Sequence, residues 1–147
     1  MLVSHGAAAD AARCGRAPTI KIIAESNSNA NSATAVDFVF IADKAVLPLL
    51  DGLTAADYFA RKDALQASLV NSIHVVSLEI PPAIILEPKR VRGCFAGAFI
   101  FANYLSPGAH RLAITSASPA ELRLGPYNFT WSPIPPRDNP AKHRSIP

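Results

Sequence analysis

The chain has 147 residues, half of them hydrophobic and only 17% charged. Ordinary soluble domains carry about 25% charged residues, so this is a core-rich chain of single-domain length, and whole-chain disorder is excluded. Its net charge of +3 sits at the ends: residues 18–131 hold 9 basic and 9 acidic side chains, which argues against a nucleic-acid-binding body.

The longest apolar run, Cys94 to Ala102, is far short of the ~18–20 residues of a helical membrane span. Residues 1–17 are Ala-rich and lack periodicity, and read as a flexible lead. Met1 to Val3, followed by Ser4, His5 and Gly6, supply no apolar region of the ~7–15 residues a secretory signal needs. Either the chain is not exported or its true start lies upstream. Cys14, in the lead, has three open readings: a free thiol, a disulfide partner of Cys94, or a lipidation site. Cys94 opens an apolar segment and is expected to be a buried small hydrophobe. No CxxC pair occurs.

From Thr19 the pattern changes. Residues 19–25 (TIKIIAE) are rich in β-branched side chains and predict a strand. The Ser/Asn run 26–33 predicts a loop, because these side chains bond their own backbone. Residues 34–42 alternate and predict a second strand. Asp37 interrupts its apolar pattern; a solvated position near a strand edge is expected, with a buried paired acid as the alternative. Pro48 is expected to end any helix in the connector 43–51. Thr54 is a natural N-cap for a helix over 55–70, with Tyr58, Phe59, Leu65 and Leu69 on its apolar side and Asn71 as C-cap.

Residues 73–80 return to period two, and Pro81-Pro82 ends the ladder. A short extended piece over 83–87 leads to a basic turn with Lys89, Arg90 and Arg92. Residues 94–104 read as a central strand buried on both faces. Its bulky face (Phe95, Phe99, Phe101) is expected against a second sheet and its small-residue face under the helix. Strands follow over 110–116, 120–124 and 127–131, the last with Tyr127, Phe129 and Trp131 on one face. Residues 132–147 hold five prolines and read as a disordered tail. The sum is a mainly β chain: a two-sheet β-sandwich over 18–131 with one inserted helix.

No catalytic motif stands out. There is no P-loop, nucleophile elbow or paired-His metal spacing. His74 and His110 start strands and are expected to be structural. No enzyme activity, metal or cofactor is expected.

The order of features in CGRAPTIKIIAESNSNANSATAVDFVFIAD resembles the small outer-membrane lipoprotein of the bacterial type VI secretion system. These features are a cysteine, a strand, an Asn-rich turn and a second hydrophobic strand. The resemblance implies a transthyretin-like sandwich whose added helix matches residues 55–70. It implies an outer-membrane-associated periplasmic protein, acylated at Cys14, with residues 1–17 including the remnant of a lipoprotein signal. It further implies docking of an inner-membrane core component through the loop between the first two strands, where Asn27, Asn29 and Asn31 lie. A different class remains open: a stand-alone sandwich binding a small ligand or carbohydrate, with Tyr127 and Trp131 as exposed stacking groups.

Overall fold

The structure is a computed structural model and describes residues 15–89 and 93–135. Strand β1 (Ile20–Ala24) leads through a short helical turn, α1 (Ser28–Asn31), into β2 (Thr34–Ile41). A 3-10 turn (Lys44–Val46), α2 (Leu47–Asp51) and α3 (Ala55–Ser68) follow, then β3 (Ile73–Ile80), β4 (Ile85–Lys89) and β5 (Gly97–Ala102). The last strands are β6 (Arg111–Ile114), β7 (Ala120–Leu124) and β8 (Phe129–Pro133). They form two four-stranded sheets, β4-β1-β7-β8 and β3-β2-β5-β6. The expected sandwich with a helix between the second and third strands is the fold observed. β1 and β7 run parallel, while every other pairing is antiparallel.

Period-two alternation explains the core between the sheets. Ile20, Ile22 and Ala24 of β1 and Ala120, Leu122 and Leu124 of β7 point inward. Val36, Phe38 and Phe40 of β2 face them from the other sheet, with Ala98, Ile100 and Ala102 of β5 alongside. Register sets large against small at Phe40 opposite Ala98 and Val36 opposite Ala102, with Phe38 opposite Ile100 between them. The two faces of β5 are therefore the reverse of the expectation. Its small residues meet the second sheet because Phe38 and Phe40 already fill that space. Its bulky Phe99 and Phe101 lie on the helix side, in a second core with Val39, Ile41, Leu50 and Tyr58. Tyr58 of α3 stacks on Phe101 at 4.2 Å between centroids and 7° between planes.

Thr54 caps α3, its hydroxyl accepting from the Asp57 N–H at 3.1 Å. The helix ends at Leu69, two residues before the expected Asn71 cap. Pro48 sits in the first turn of α2, so it starts a helix where it was expected to end one. A proline needs no donor there, and its fixed φ suits the first turn. Among the described residues no helix is long and apolar enough to cross a membrane.

Gly97 opens β5 beneath α2. A Cβ there would lie 2.6 Å from the Leu47 Cδ2 atom. Gly97→Val is therefore expected to displace the Leu47 side chain, at a cost of about 1 kcal/mol. A urea midpoint equal to wild type would show that Leu47 yields freely.

The body has two poles. Gly15 bridges Phe95, just ahead of β5, and Ala120 pairs with both Ile20 and Pro133. Both ends of the described body thus emerge at one pole. Ala17 is already part of the core, and β8 runs two residues beyond the expected boundary at Trp131. The chain reversals after β1, β5 and β7 gather at the other pole.

Candidate docking loops

The loop after β1 takes an unusual backbone path. Asn29 (φ 46), Ala30 (φ 53) and Asn31 (φ 62) are three successive left-handed residues. Asparagine tolerates this region; for alanine it costs roughly 1–2 kcal/mol. Neighbouring loops hold the path in place. The Asn29 N–H donates to the Gly125 carbonyl at 3.0 Å, and the Ala30 N–H donates to Pro126 at 3.1 Å.

The Asn29 side chain is the pin of the cluster. It is only 2% exposed. Its Nδ2 donates to the carbonyls of Ala33 (3.2 Å) and Asn103 (3.3 Å), and its Oδ1 accepts from the Leu105 N–H at 2.8 Å. Each hydrogen-bonding group of the amide is used inside the protein. Of the three loop asparagines singled out in the sequence, Asn27 and Asn31 are exposed and Asn29 is turned inward.

His110 fastens the other two loops. It is buried and stacks on Tyr104 at 4.8 Å. Its Nε2 lies 2.8 Å from the Ser106 carbonyl and its Nδ1 lies 2.9 Å from the Asn128 Oδ1. The Ser106 hydroxyl donates to the Tyr127 carbonyl at 2.6 Å. Gly108 makes the tight fit possible: its φ is +146, and a Cβ there would sit 3.0 Å from the His110 ring. The loops after β1, β5 and β7 are thus one hydrogen-bonded unit.

The outer surface of this unit carries Asn27, Ala30 and Asn31, with Leu105 72% exposed and Tyr127 69% exposed. Two large exposed apolar side chains on adjoining polar loops are the composition of a binding surface. Leu105 carried no sequence signal, because loop residues have no period to betray their neighbours.

The expected aromatic platform is not formed. Phe129 is buried and Trp131 packs against the core between the sheets, leaving only Tyr127 outward. A cavity of about 430 Å³ does open between the sheets, where the edge strands β3 and β4 gape. Its walls, among them Ile22, Phe38, Leu78 and Leu86, are mainly apolar, with Glu79 and Glu87 also lining it.

Asp37 departs from expectation more sharply. It lies in β2, an interior strand, and is 1% exposed. α3 covers that face. The Tyr58 hydroxyl donates to Asp37 Oδ2 at 2.7 Å, and the Lys62 ammonium reaches the same oxygen at 2.9 Å. The buried paired acid is the arrangement present. Burial, and then the neighbouring carboxylate, push the Tyr58 phenol far above its ordinary range. Lys62 also donates to the Ser77 hydroxyl at 2.9 Å. A Ser–Lys pair becomes catalytic only when the lysine is neutral and acts as a base. Here Lys62 is ion-paired with the Asp37 carboxylate, so the cluster is a polar staple between helix and sheet.

Cys94 is exposed and disulfide-bonded, not the buried hydrophobe expected. β5 begins only at Gly97, so Cys94 falls in the approach to the strand, outside its buried part. Cys14, Arg90 and Arg92 lie outside the described residues, as does the Lys89 side chain.

These features define a class: a two-sheet sandwich with a helical layer on one sheet and a rigid loop cluster at one pole. No protein-family model and no curated protein matches the sequence. Solved structures do match the fold. The crystal structure of the T6SS lipoprotein TssJ1 from Pseudomonas aeruginosa aligns with a TM-score of 0.55 and 16% identity, covering 84% of this chain and 100% of that one. Serratia marcescens Lip, a membrane-bound component of the type VI secretion system, aligns at 0.52 with 13% identity over 78% and 94%. A structure of the type VI membrane complex aligns at 0.56 with 14% identity, covering 80% and 98%. At these identities the shared property is the fold, and it is the fold that the sequence resemblance implied.

Proposed function

We propose that this chain is a non-enzymatic component of a type VI secretion membrane complex, associated with the outer membrane on its periplasmic side. It docks the periplasmic part of an inner-membrane core component through the loop cluster. The observation that carries this reading is the joining of three loops into one rigid surface at the pole opposite the chain ends. A surface fixed before binding loses little conformational entropy on association. A tether at the chain-end pole leaves that surface facing away from the membrane. The similarity to structures described as a type VI lipoprotein and as a type VI membrane complex supports the same reading.

The test is binding of the purified chain to the periplasmic domain of the core component of the same secretion system, by calorimetry. The triple variant Asn27→Ala, Asn31→Gly, Tyr127→Ala removes exposed groups only, with glycine at Asn31 because its backbone is left-handed. It is expected to weaken binding at least tenfold with an unchanged unfolding midpoint. Undiminished affinity would sink the loop assignment.

A further inference from the structure

We infer that the free edge of β3 is a strand-addition site. An extended segment of the docking partner pairs with it and lays alternate apolar side chains across the slot between β3 and β4. Among the described residues β3 has one sheet neighbour, β2, and pairs with it in unbroken register over all eight residues. It holds no proline. The other edges are shorter and blunted. β4 has five residues, a register irregularity against β1, and Pro88. β6 has four residues and begins at Arg111, and β8 has five and ends on Pro133.

Alternation assigns the free backbone groups of β3. The Ser72 carbonyl accepts from the Ala42 N–H at 2.9 Å, so the even-numbered residues of β3 bond to β2. The N–H and C=O groups of Val75, Ser77 and Glu79 then point off the edge. Among the described residues no other segment bonds them. Beside this edge lies the apolar slot of about 430 Å³, walled by Val76 and Leu78 of β3 and Leu86 of β4. A strand added to β3 continues its sheet, so its inward side chains project across the mouth of the slot. Backbone bonds then hold the segment, and the slot selects its side chains. Glu79 is exposed and ion-pairs with nothing among the described residues. The occupant is therefore an extended peptide with apolar residues at alternate positions and a lysine or arginine facing Glu79. Its source is the docking partner, because the edge is continuous with the loop cluster: Ile80 pairs with Thr34, just beyond α1. A second copy fits less well. β3 paired antiparallel with its twin would set the two loop clusters at opposite ends, and only one could face away from the membrane.

The inference rests on the docking proposal for the identity of the partner, and it adds a contact which that proposal does not need. The experiment is amide hydrogen exchange on the full chain, free and bound to the periplasmic domain of the core component. The Val75, Ser77 and Glu79 amides are expected to slow at least about tenfold on binding, with β6 and β8 unchanged. Calorimetry then compares Glu79→Pro with Glu79→Ala. Proline removes an off-edge donor that the ladder to β2 does not use, whereas alanine removes only the side chain. Glu79→Ala is expected to bind within about threefold of wild type. Glu79→Pro is expected to bind about tenfold more weakly than Glu79→Ala, at a similar unfolding midpoint. If Glu79→Pro fails to fold, exchange in the wild-type complex decides alone. Protected loop amides beside a β3 that exchanges as in the free chain would overturn the strand inference and leave the docking proposal standing. Equal affinities of two folded variants would do the same. Protection of β3 in the chain by itself at high concentration would make a second copy the occupant and overturn the inference. A wild-type chain that does not bind the domain at all would overturn both readings.

Discussion

Lys62→Met is expected to destabilise the protein by about 3 kcal/mol, the low end of what breaking a buried ion pair costs. The loss leaves Asp37, 1% exposed, with a carboxylate whose only remaining named partner is Tyr58. The value sits at the low end because the Lys62 side chain keeps 25% exposure and the phenol bond survives. Asp37→Leu combined with Lys62→Met and Tyr58→Phe should recover most of the loss, since an all-apolar trio leaves no unpaired polar group on that face. Urea unfolding of the two variants decides it. A single variant as stable as wild type would show that Asp37 is satisfied without its lysine.

The same staple gives the fold an alkaline limit. The Tyr58 phenol is raised far above its ordinary value of 10.0, first by burial and then by Asp37. The folded state therefore holds this proton more tightly than the unfolded chain does. Its contribution is complete below pH 10.0 and falls away as pH rises above that value. Tyr104, raised chiefly by burial, acts with the same sign. Tyr58→Phe keeps the ring on Phe101 and removes the titrating group. Its stability should start lower at neutral pH by about 1–2 kcal/mol and decline less steeply above pH 10 than wild type.

Asp37 also shows what a single sequence conceals. Alternation in β2 placed its side chain on the face away from Val36, Phe38 and Phe40, and that was correct. Alternation does not say what covers a face. The covering group was present in the sequence as Tyr58 and Lys62, four apart on one helical side, a spacing that aims both at one point. The face reversal in β5 has the same origin. Its bulky and small sides were legible from period two, but the choice of partner depended on Phe38 and Phe40 filling the space between the sheets. Pro48 was misread because a proline carries no label saying whether it stands at the start of a helix or past its end. The loop after β1 was legible as a loop from its Ser/Asn content. The inward turn of Asn29 was not, since it depends on a carbonyl and an N–H some 75 residues away, at Asn103 and Leu105.

Asn29→Ala is the change that separates the structural part of the loop cluster from its contact surface. Alanine removes the acceptor of the Leu105 N–H and the donor to the carbonyls of Ala33 and Asn103. It also places a third-choice residue in left-handed backbone, beside Ala30, which is already there. Unpaired buried backbone groups cost about 1–3 kcal/mol, and the lost asparagine preference adds roughly 1 more. The expected outcome is a loss of about 3 kcal/mol, unless the loop opens to water and limits it. In that case the Leu105 and Ala30 amides exchange with solvent quickly while β2 and β5 stay protected. Either way the variant should lose partner binding together with loop order. Asn27→Ala and Asn31→Gly should lose binding with stability and exchange unchanged. If Asn29→Ala bound the partner with full affinity while its loop amides exchanged freely, the rigidity of the cluster would be irrelevant to docking. The contact would then have to be sought elsewhere on the body.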